Sequence, residues 1–240
     1  TVGSNPTLSS SKMIKKYIKR NGPFYKLFLY YRLIYKEKFF IKRKTYSQSG
    51  EDIFITNYMR QHNIENGKYV DVGAFHPIKY SNTCLLFNKG WSGTNIDLNP
   101  VSIDYFNILR PKDKNVCCAI SNKKKKTKVF INSIFSPLNT ISKKHASSFN
   151  FATKKELNFF VMSKKFNNIV KIKFNFLNID IEGLDYQVIK SINLNRYKPN
   201  LICIEILDKE ILKDIKHYLS KFEYCYIKRL STSYFFEYKR

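Results

Sequence analysis

From Tyr46 onward, short apolar runs alternate with segments in which apolar residues recur at helical spacing. The apolar runs predict buried strands at 67–73, 93–98, 115–121, 129–133, 174–183 and 200–207. Helices are predicted between them, among others at 81–90 and at 101–110, where Pro111 stops the helix. The last two runs, "EYCYIKRL" and "SYFFEYKR", predict an antiparallel pair. This alternation indicates an α/β fold with a mostly parallel sheet and helices on both faces.

The segment at 13–45 has a different pattern, in which basic and aromatic residues interleave and Glu37 is the only acid. The apolar side chains after Gly22-Pro23 recur at helical spacing, which predicts a helix. This arm either packs on the main domain with its basic residues outside, the favoured interpretation, or lies on a membrane surface or an anionic polymer. The predicted organisation is a tag remnant at 1–12, a basic aromatic arm at 13–45 and one domain at 46–240.

The 240 residues carry a formal net charge of +25. This charge favours nucleic acid, anionic lipid, or an acidic or phosphorylated substrate as partner, although an AT-rich genome would also enrich lysine. The five cysteines form no C-x-x-C motif, so we expect neither a disulfide framework nor a metal cluster, and a reducing cytoplasm fits best. No secretory signal is visible, and Lys or Arg interrupts every long apolar run, so no membrane-spanning helix is predicted.

Two predicted strands end in an acid, and the first is followed by a single glycine. Asp71 and Gly73 end the first strand, and Asp97 ends the second, 26 positions after Asp71 (97 − 71). An acid at the end of a second strand suits hydrogen bonds to ribose hydroxyls. A dinucleotide would need G-x-G-x-x-G for its pyrophosphate, whereas the run here is "GAFHP". The turn therefore predicts S-adenosylmethionine as cofactor, with Gly73 at its amino-acid end and Asp71 near the ammonium group.

Four motifs follow one another along the chain: "YSQSGEDIFI", "YVDVGAFHPIKYSNT", "KGWSGTNIDLNP" and "FLNIDIEGLDYQVIKS". Together they resemble the FkbM-type family of S-adenosylmethionine-dependent O-methyltransferases, from about Tyr46 to the C-terminus. Many members of that family look like tailoring enzymes of polysaccharide or antibiotic gene clusters. The resemblance implies a Rossmann-like class I methyltransferase fold, with a seven-stranded, mostly parallel sheet and an antiparallel C-terminal hairpin.

The resemblance also implies roles for individual residues. Gln48 and Glu51 would lie over the cofactor, Gly73 would belong to the glycine loop, and Asp97 would bind the ribose. Asp180 would lie near the methionine end of the cofactor. Asn82, in the motif "SNT", is placed with the substrate-binding residues.

A sugar hydroxyl needs a general base, or a metal that lowers its pKa, before it accepts a methyl group. His76, just after the glycine turn, is the first candidate base, and the alternative is that it caps the following helix or bonds a carbonyl. His145 lies in a loop placed to cover the acceptor and is counted among the substrate-binding residues. Lys79 and Tyr80 flank the acceptor cleft, where they would bind acidic sugar or diphosphate groups unless they are solvated surface.

Three carboxylates at predicted strand ends form a second group of candidates: Asp180, Glu182 and Glu205. They are predicted to hold Mg²⁺ or a similar cation, since hard cations prefer oxygen ligands. Asp180 and Glu182 are also candidate catalytic residues, and Glu205 a candidate substrate contact. The alternative for Glu182 is a hydrogen bond to the backbone turn at Gly183.

The leading hypothesis is a cytoplasmic enzyme that methylates a sugar hydroxyl of a glycan, polysaccharide or nucleotide-sugar. Its basic arm would contact the inner membrane surface or glycan assembly enzymes. One alternative is a nucleic-acid methyltransferase, although the N/D-P-P-Y-like strand ends of base methyltransferases do not occur. Another is a basic membrane- or polymer-binding protein with a vestigial cofactor pocket.

Overall fold

The computed structural model describes residues 20, 22–123, 125–133, 135–150, 159–181 and 183–239. The chain divides into two compact units, one ending at Arg43 and the other beginning at Lys44. In the first unit, helix α1 (Pro23–Tyr35) precedes a short 3-10 helix (Lys38–Phe40). Proline at the first helical position suits the start of α1 because its φ is already helical. The helix predicted after Gly22-Pro23 is confirmed, whereas residues 1–12 lie outside the described residues.

The described residues of the second unit alternate strands with helices. The helices are α2 (Glu51–Gln61), α3 (Cys84–Asn88), α4 (Pro100–Leu109), α5 (Lys143–Ser148), α6 (Phe166–Ile169), α7 (Asp185–Ser191), α8 (Leu194–Tyr197) and α9 (Lys209–Ser220). The strands are β1 (Lys68–Val72), β2 (Ser92–Asp97), β3 (Lys114–Cys117), β4 (Ala119–Ile120), β5 (Lys126–Val129), β6 (Phe159–Lys164), β7 (Phe176–Ile179), β8 (Leu201–Glu205), β9 (Tyr224–Leu230) and β10 (Ser233–Tyr238).

The main sheet of the described chain has seven strands in the order β3-β2-β1-β7-β8-β10-β9. The first five strands of this order pair in parallel, and β10 pairs antiparallel with both β8 and β9. The predicted parallel sheet and its antiparallel closing pair are therefore confirmed.

Alternating side chains of the strands fill a core on each face of this sheet. Val70 and Val72 of β1 pack in one cluster with apolar residues of α6, α7 and α9, whereas Tyr69 packs in another with residues of α2 and α3. Each fully buried Val, Leu or Ile contributes about 1.5–3 kcal/mol to stability. These two layers hold the strands rigidly, so that the loops at their ends are well positioned.

The prediction of a single strand at 115–121 is wrong. It divides at Cys118 into β3 in the main sheet and β4 in a second sheet, ordered β4-β6-β5. The backbone N–H of Cys118 still bonds the carbonyl of Asp97, the last residue of β2, at 3.0 Å. Beyond that point β2 offers no further partner, so the chain turns away and pairs with β6 instead.

Two strands of the second sheet also differ from the expectation, one in its position and one because no strand was predicted there. A strand was expected at 129–133, whereas β5 comprises Lys126–Val129 and so begins three residues earlier (129 − 126). β6 was not predicted, because burial alternates along it and leaves only two fully buried side chains, Val161 and Ser163. No helix in the described part of the chain is long and apolar enough to cross a membrane.

Candidate functional site

The carboxyl ends of the four central parallel strands lie side by side at one edge of the main sheet. Val72 pairs with Ile96 on one side and with Ile179 on the other. The chain proceeds from β1 outward to β2 and β3, and later from β7 outward to β8, so the strand order reverses at β1. Open α/β sheets bind ligands at such a switch point. Four predicted site residues meet at this edge: Gly73, Asp97, Asp180 and Glu205.

Gly73 makes the turn that leaves β1. Its φ of +82° lies in the left-handed region, which favours glycine. A Cβ atom at this position would overlap the carbonyl oxygen of Asp180 and lie 2.6 Å from its carbonyl carbon. The amide of Asp180 in turn donates to the carbonyl of Val72 at 2.9 Å. The turn therefore packs directly against the exit of β7, and this contact alone requires a glycine.

The loop after this turn carries aromatic and basic side chains, of which Tyr80 is exposed and Phe75 and Lys79 are partly buried. Phe75 and Tyr80 both have φ of +52°, and strained backbone of this kind clusters at functional sites. Their rings lie 6.4 Å apart and nearly parallel, and the Lys79 Nζ atom is 5.2 Å from the centre of the Tyr80 ring. Tyr80 is 43% exposed. The predicted substrate residues Lys79 and Tyr80 both lie in this loop, and their contact with a substrate stays a prediction.

Asp97 is the last residue of β2, and each of its carboxylate oxygens accepts one hydrogen bond. Oδ1 accepts from the backbone N–H of Asn99 at 2.6 Å, and Oδ2 from that of Phe75 at 2.8 Å. Burial raises the pKa of Asp97 to about 6, although both hydrogen bonds oppose the rise. Each oxygen keeps a second lone pair, so the ionised carboxylate can accept further hydrogen bonds from a ligand.

Asp71 is the centre of a buried network. Its Oδ2 accepts from the Thr83 hydroxyl at 2.7 Å and its Oδ1 from the Asn178 amide at 2.9 Å. The Asn178 side chain in turn accepts from Asn82 at 3.0 Å. Burial raises the pKa of Asp71, and its two hydrogen bonds oppose the rise. These contacts tie the "SNT" segment to β7, and a contact between Asp71 and an ammonium group stays a prediction.

Arg110 was not recognised from the sequence as part of this region. It follows α4 and is only 1% exposed. Its guanidinium donates to Thr83 at 2.9 Å, to Ser81 at 3.1 Å and to the carbonyl of Pro77. It thereby fastens the loop at 77–83. An arginine before a proline at a helix end has no sequence feature that distinguishes it among 43 Lys and Arg residues.

His76 is buried, and hydrogen bonds fix its ring. Nδ1 accepts from the backbone N–H groups of Ile78 and Lys79, each at 3.2 Å, and the ring lies 4.8 Å from that of Tyr105. Because Nδ1 accepts, the neutral ring carries its proton on Nε2, and protonation at Nδ1 would break the turn. These contacts give His76 a structural role in a turn, not at a helix start as the alternative interpretation expected, and His76 as general base stays a prediction that they do not support.

The segment before α2 folds around Asp52, which was not among the predicted residues. Asp52 is fully buried and accepts from the backbone N–H of Tyr46 at 2.6 Å. Glu51 is also buried and accepts from the N–H of Ser49 at 2.7 Å, whereas Gln48 is exposed. The cofactor roles of Gln48 and Glu51 stay predictions.

Asp185, the first residue of α7, shapes the loop that follows β7. Its Oδ1 accepts from the backbone N–H of Ile181 at 3.0 Å and its Oδ2 from that of Gly183 at 3.1 Å. Burial raises the pKa of Asp185 to about 7, and the charge of Glu205 adds to the rise. Sequence reasoning missed this residue, whose signal was an acid two positions after a glycine at a helix start.

Glu205 and His145 are two further predicted residues on this side of the sheet. Glu205 ends β8, and its Oε1 accepts from the Thr232 hydroxyl at 3.1 Å. His145 on α5 lies beside Gly183, and the charge of Glu205 acts on its pKa. Both residues were predicted to contact the acceptor.

No group of three His, Cys, Asp or Glu residues able to hold a metal occurs within the described ranges. Asp180, just after β7, is half-buried. Glu182 lies outside the described residues, so the catalytic role predicted for it and the predicted metal site stay predictions.

A cleft of about 640 Å³ lies at the opposite edge of the sheet. It is lined by side chains of α2 and α3 and by Asn66 and Trp91, which precede β1 and β2. Ligands of open α/β sheets bind at the carboxyl ends of the strands, so this cleft is separate from the site.

A family model described as the methyltransferase FkbM domain matches residues 71–226, well over half of the chain. The chain belongs to the FkbM methyltransferase family. The resemblance recognised in the four sequence motifs is therefore confirmed. No curated protein sequence matches the chain at a significant level.

Two solved methyltransferase structures are similar to this FkbM-family chain. The crystal structure of methyltransferase FkbM from Methylobacillus flagellatus KT is 16% identical, with a TM-score of 0.50 over 72% of this chain and 44% of that one. The chain thus spans less than half the length of that structure. A TehB-like SAM-dependent methyltransferase from Corynebacterium glutamicum ATCC 13032 is 10% identical, with a TM-score of 0.46 over 98% of this chain and all of that one. The strand order of the sheet and the likeness to the first of these structures show the predicted Rossmann-like class I methyltransferase fold.

Membership of the FkbM family implies S-adenosylmethionine as cofactor, and the residues at the sheet edge fit it. Asp97 keeps lone pairs for ribose hydroxyls. The Gly73 turn, closed on Asp180, leaves backbone rather than side chains at the end of β1. Asp97, Gly73 and Asp180 would therefore hold the cofactor.

Proposed function

We propose that this protein is an S-adenosylmethionine-dependent methyltransferase whose acceptor is a sugar hydroxyl of a glycan, polysaccharide or nucleotide-sugar. The observation that carries the proposal is the pairing of Asp97 with the Gly73 turn at the switch point of an FkbM-family chain. When bound, the cofactor supplies a methyl group already activated by its sulfonium. The residues of the chain then have to align the acceptor, exclude water and receive a proton.

Side chains near the sheet edge support a sugar as acceptor. An exposed aromatic ring, that of Tyr80, can pack against the apolar face of a sugar ring, and Lys79 beside it can bind an acidic group. Carboxylates at Asp180 and Glu205 can accept hydrogen bonds from hydroxyl groups. The net charge of +25 favours an acceptor that is itself anionic.

Replacing Asp97 with asparagine tests the cofactor site by isothermal titration calorimetry with S-adenosylmethionine. A hydrogen bond to a charged group contributes about 1.5–3 kcal/mol, so we expect the affinity to fall about 10- to 100-fold. The affinity of the unchanged protein should also weaken as pH falls through about 6, where Asp97 becomes protonated. Asp214→Asn, at an exposed site on α9, is the control. Absence of binding to the unchanged protein at millimolar cofactor would refute the proposed function.

A divalent cation bound by Asp180, Glu182 and Glu205 is an alternative form of the proposal. Such a cation would lower the pKa of a bound hydroxyl and replace a protein base. Loss of methyl transfer in EDTA and its recovery with Mg²⁺ would support this form.

The arm supports a proposal about location, namely that α1 binds anionic membrane surfaces such as the inner leaflet of the cell membrane. Phe24, Leu27 and Ile34 of α1 are 66%, 65% and 57% exposed. Basic residues surround them, and the only acid of the segment, Glu37, lies 3.5 Å from Arg32. Exposed apolar side chains among basic residues are typical of helices that lie in a membrane interface.

Co-sedimentation with lipid vesicles tests this location. We expect the protein to bind phosphatidylglycerol vesicles and not phosphatidylcholine vesicles. The double variant Leu27→Glu/Ile34→Glu should bind at least about tenfold more weakly, because burying each side chain contributes about 1.5–3 kcal/mol. Leu207→Glu, also at an exposed site, is the control. Equal binding of both variants would contradict the proposal, and binding to duplex DNA instead would favour the nucleic-acid alternative.

A further inference from the structure

We propose that the cleft between α2 and α3 is a second binding site, which takes a single-chain amphiphilic anion: an aliphatic chain with a phosphate or carboxylate head group. The cleft lies at the amino ends of β1 and β2, whereas Gly73 and Asp97 lie at the carboxyl ends of the same strands. The proposal therefore concerns a site separate from the cofactor and does not depend on the proposed function.

The size and the walls of the cleft suit an aliphatic chain. Its volume of about 640 Å³ lies within the range of about 300–1,000 Å³ that is typical of ligand pockets. Six of the side chains that line it are apolar: Ile53, Met59, Ile64, Leu85, Leu86 and Trp91. Among these only Trp91 is aromatic, and it is 5% exposed, so the lining offers little ring surface on which a flat ligand could stack. Met59 is buried and Ile53 is 39% exposed, so the apolar lining extends from the core to the surface.

The wall around Trp91 is held in place by backbone contacts. A Cβ atom on Gly67 would lie 2.5 Å from Cη2 of the indole, so the ring packs directly on the backbone at Gly67. A Cβ atom on Gly90 would lie 3.2 Å from Oδ1 of Asn66, so the loops that follow α2 and α3 also lie against each other. The cleft is thus formed before any ligand arrives, which reduces the cost of ordering it on binding.

A buried hydroxyl gives the cleft a polar group that needs a partner. Thr56 lines the cleft from α2, and its Oγ1 atom is buried without a hydrogen-bond partner among the residues that the structure describes. A buried polar group in this state is unfavourable. Because a hydroxyl can donate a hydrogen bond, an anionic oxygen of a ligand would satisfy it.

The charged side chains of the lining favour an anion. Lys44, Arg60 and Lys89 are basic and Glu65 is the only acid that lines the cleft, which leaves a surplus of two positive charges (3 − 1). All four side chains are exposed, and none of the three basic ones forms an ion pair within the described part of the chain. An apolar cleft with this basic surplus is complementary to a molecule that joins an aliphatic chain to an anionic head group.

The first experiment uses the fluorescence of Trp91, which is the only tryptophan of the sequence, so that emission from the full chain reports on this cleft. Decyl phosphate and decanoate, below their micellar concentrations, should change the emission saturably. At least one of them should bind about fivefold or more tightly than decan-1-ol at low salt, because only the anions meet the basic side chains. The comparison of the two anions identifies the preferred head group, and inorganic phosphate, which lacks the chain, should have no effect.

Three outcomes of this titration would overturn the proposal. They are the absence of a saturable change with both anions, equal affinity for decan-1-ol, and a response to inorganic phosphate alone. Binding of a probe to α1 would not imitate the expected result, because no tryptophan lies in that helix.

The second experiment compares variants of the cleft in the same titration. Ile53→Glu should weaken binding of the preferred anion by about tenfold or more, because it places a negative charge in the apolar wall. Thr56→Val keeps the shape of the side chain but removes the hydroxyl, and it should weaken binding by about two- to tenfold. Ile211→Glu, at a site on α9 that is 36% exposed, is the control and should bind normally. Unchanged affinity in both cleft variants would contradict the proposed site.

Calorimetry with S-adenosylmethionine separates this proposal from the proposed function. Ile53→Glu and Thr56→Val should bind the cofactor as the unchanged protein does, because both residues lie at the other end of the strands. Loss of cofactor affinity in both cleft variants would show that the two sites are not separate and would overturn the proposal in this form.

Discussion

Replacing Gly73 with alanine should abolish cofactor binding and destabilise the fold by about 2–5 kcal/mol. A left-handed backbone costs a residue with a side chain about 1–2 kcal/mol, and forcing an atom into a packed site costs about 1–3 kcal/mol more. Here the added methyl would overlap the backbone of Asp180, which cannot move away as a flexible side chain can. The turn and the exit of β7 must therefore separate. Thermal unfolding and calorimetry with S-adenosylmethionine measure both effects.

Gly50 provides a matched control for this substitution. Its φ of +83° is almost the same, but a Cβ atom there would have no neighbour within 4 Å. Gly50→Ala should therefore lose only about 1–2 kcal/mol of stability, due to the left-handed backbone, and its affinity for the cofactor should not change. Equal losses in the two variants would show that the contact with Asp180 has no effect of its own.

Replacing Arg110 with methionine should lower the free energy of unfolding by about 3–5 kcal/mol, since breaking a buried charge network by removing one partner has this effect. The substitution leaves the carbonyl of Pro77 and the hydroxyls of Ser81 and Thr83 without their buried donor. It also removes the positive charge that lowers the pKa of buried Asp71. The melting temperature should fall by about 6–20 °C.

Two further variants show whether the loss of stability is specific to the guanidinium of Arg110. Arg110→Lys should also be destabilised, because an ammonium group cannot reproduce the fork that reaches all these acceptors. Arg60→Met, at an exposed arginine on α2, should change stability by less than about 0.5 kcal/mol. A melting temperature of Arg110→Met within a few degrees of the unchanged protein would contradict the role assigned to this arginine.

The sheet could be predicted because its strands are buried on both faces and appear as mostly apolar runs, as at β8. The second sheet could not, because its strands have only one buried face and alternate with lysines, as in β5. The division at Cys118 depends on where β2 ends in space. No local pattern of residues contains that information.

The residues of the candidate site also divide into those that the sequence identifies and those that it does not. Asp97 and Gly73 could be located because their chemistry and spacing follow from the strand ends. The surroundings of His145 could not be predicted in this way, because its ring lies beside Gly183, which belongs to a distant segment of the chain. Arg110 and Asp185 act by holding loops. Nothing in the sequence around Arg110 distinguishes it, whereas Asp185 is marked only by its position two residues after Gly183 at a helix start.

The pairing of β4 with β6 has a consequence for engineering. Ile120 pairs with Lys164, and the N–H of Ser121 bonds the carbonyl of Lys164 at 3.0 Å, so the chain departs and returns at one place. The stretch at 121–163, which includes α5, is thus a cassette with closely spaced ends. Loops with adjacent ends accept changes of length at little entropic cost. Grafting this cassette from another family member should alter acceptor choice while the cofactor edge stays intact.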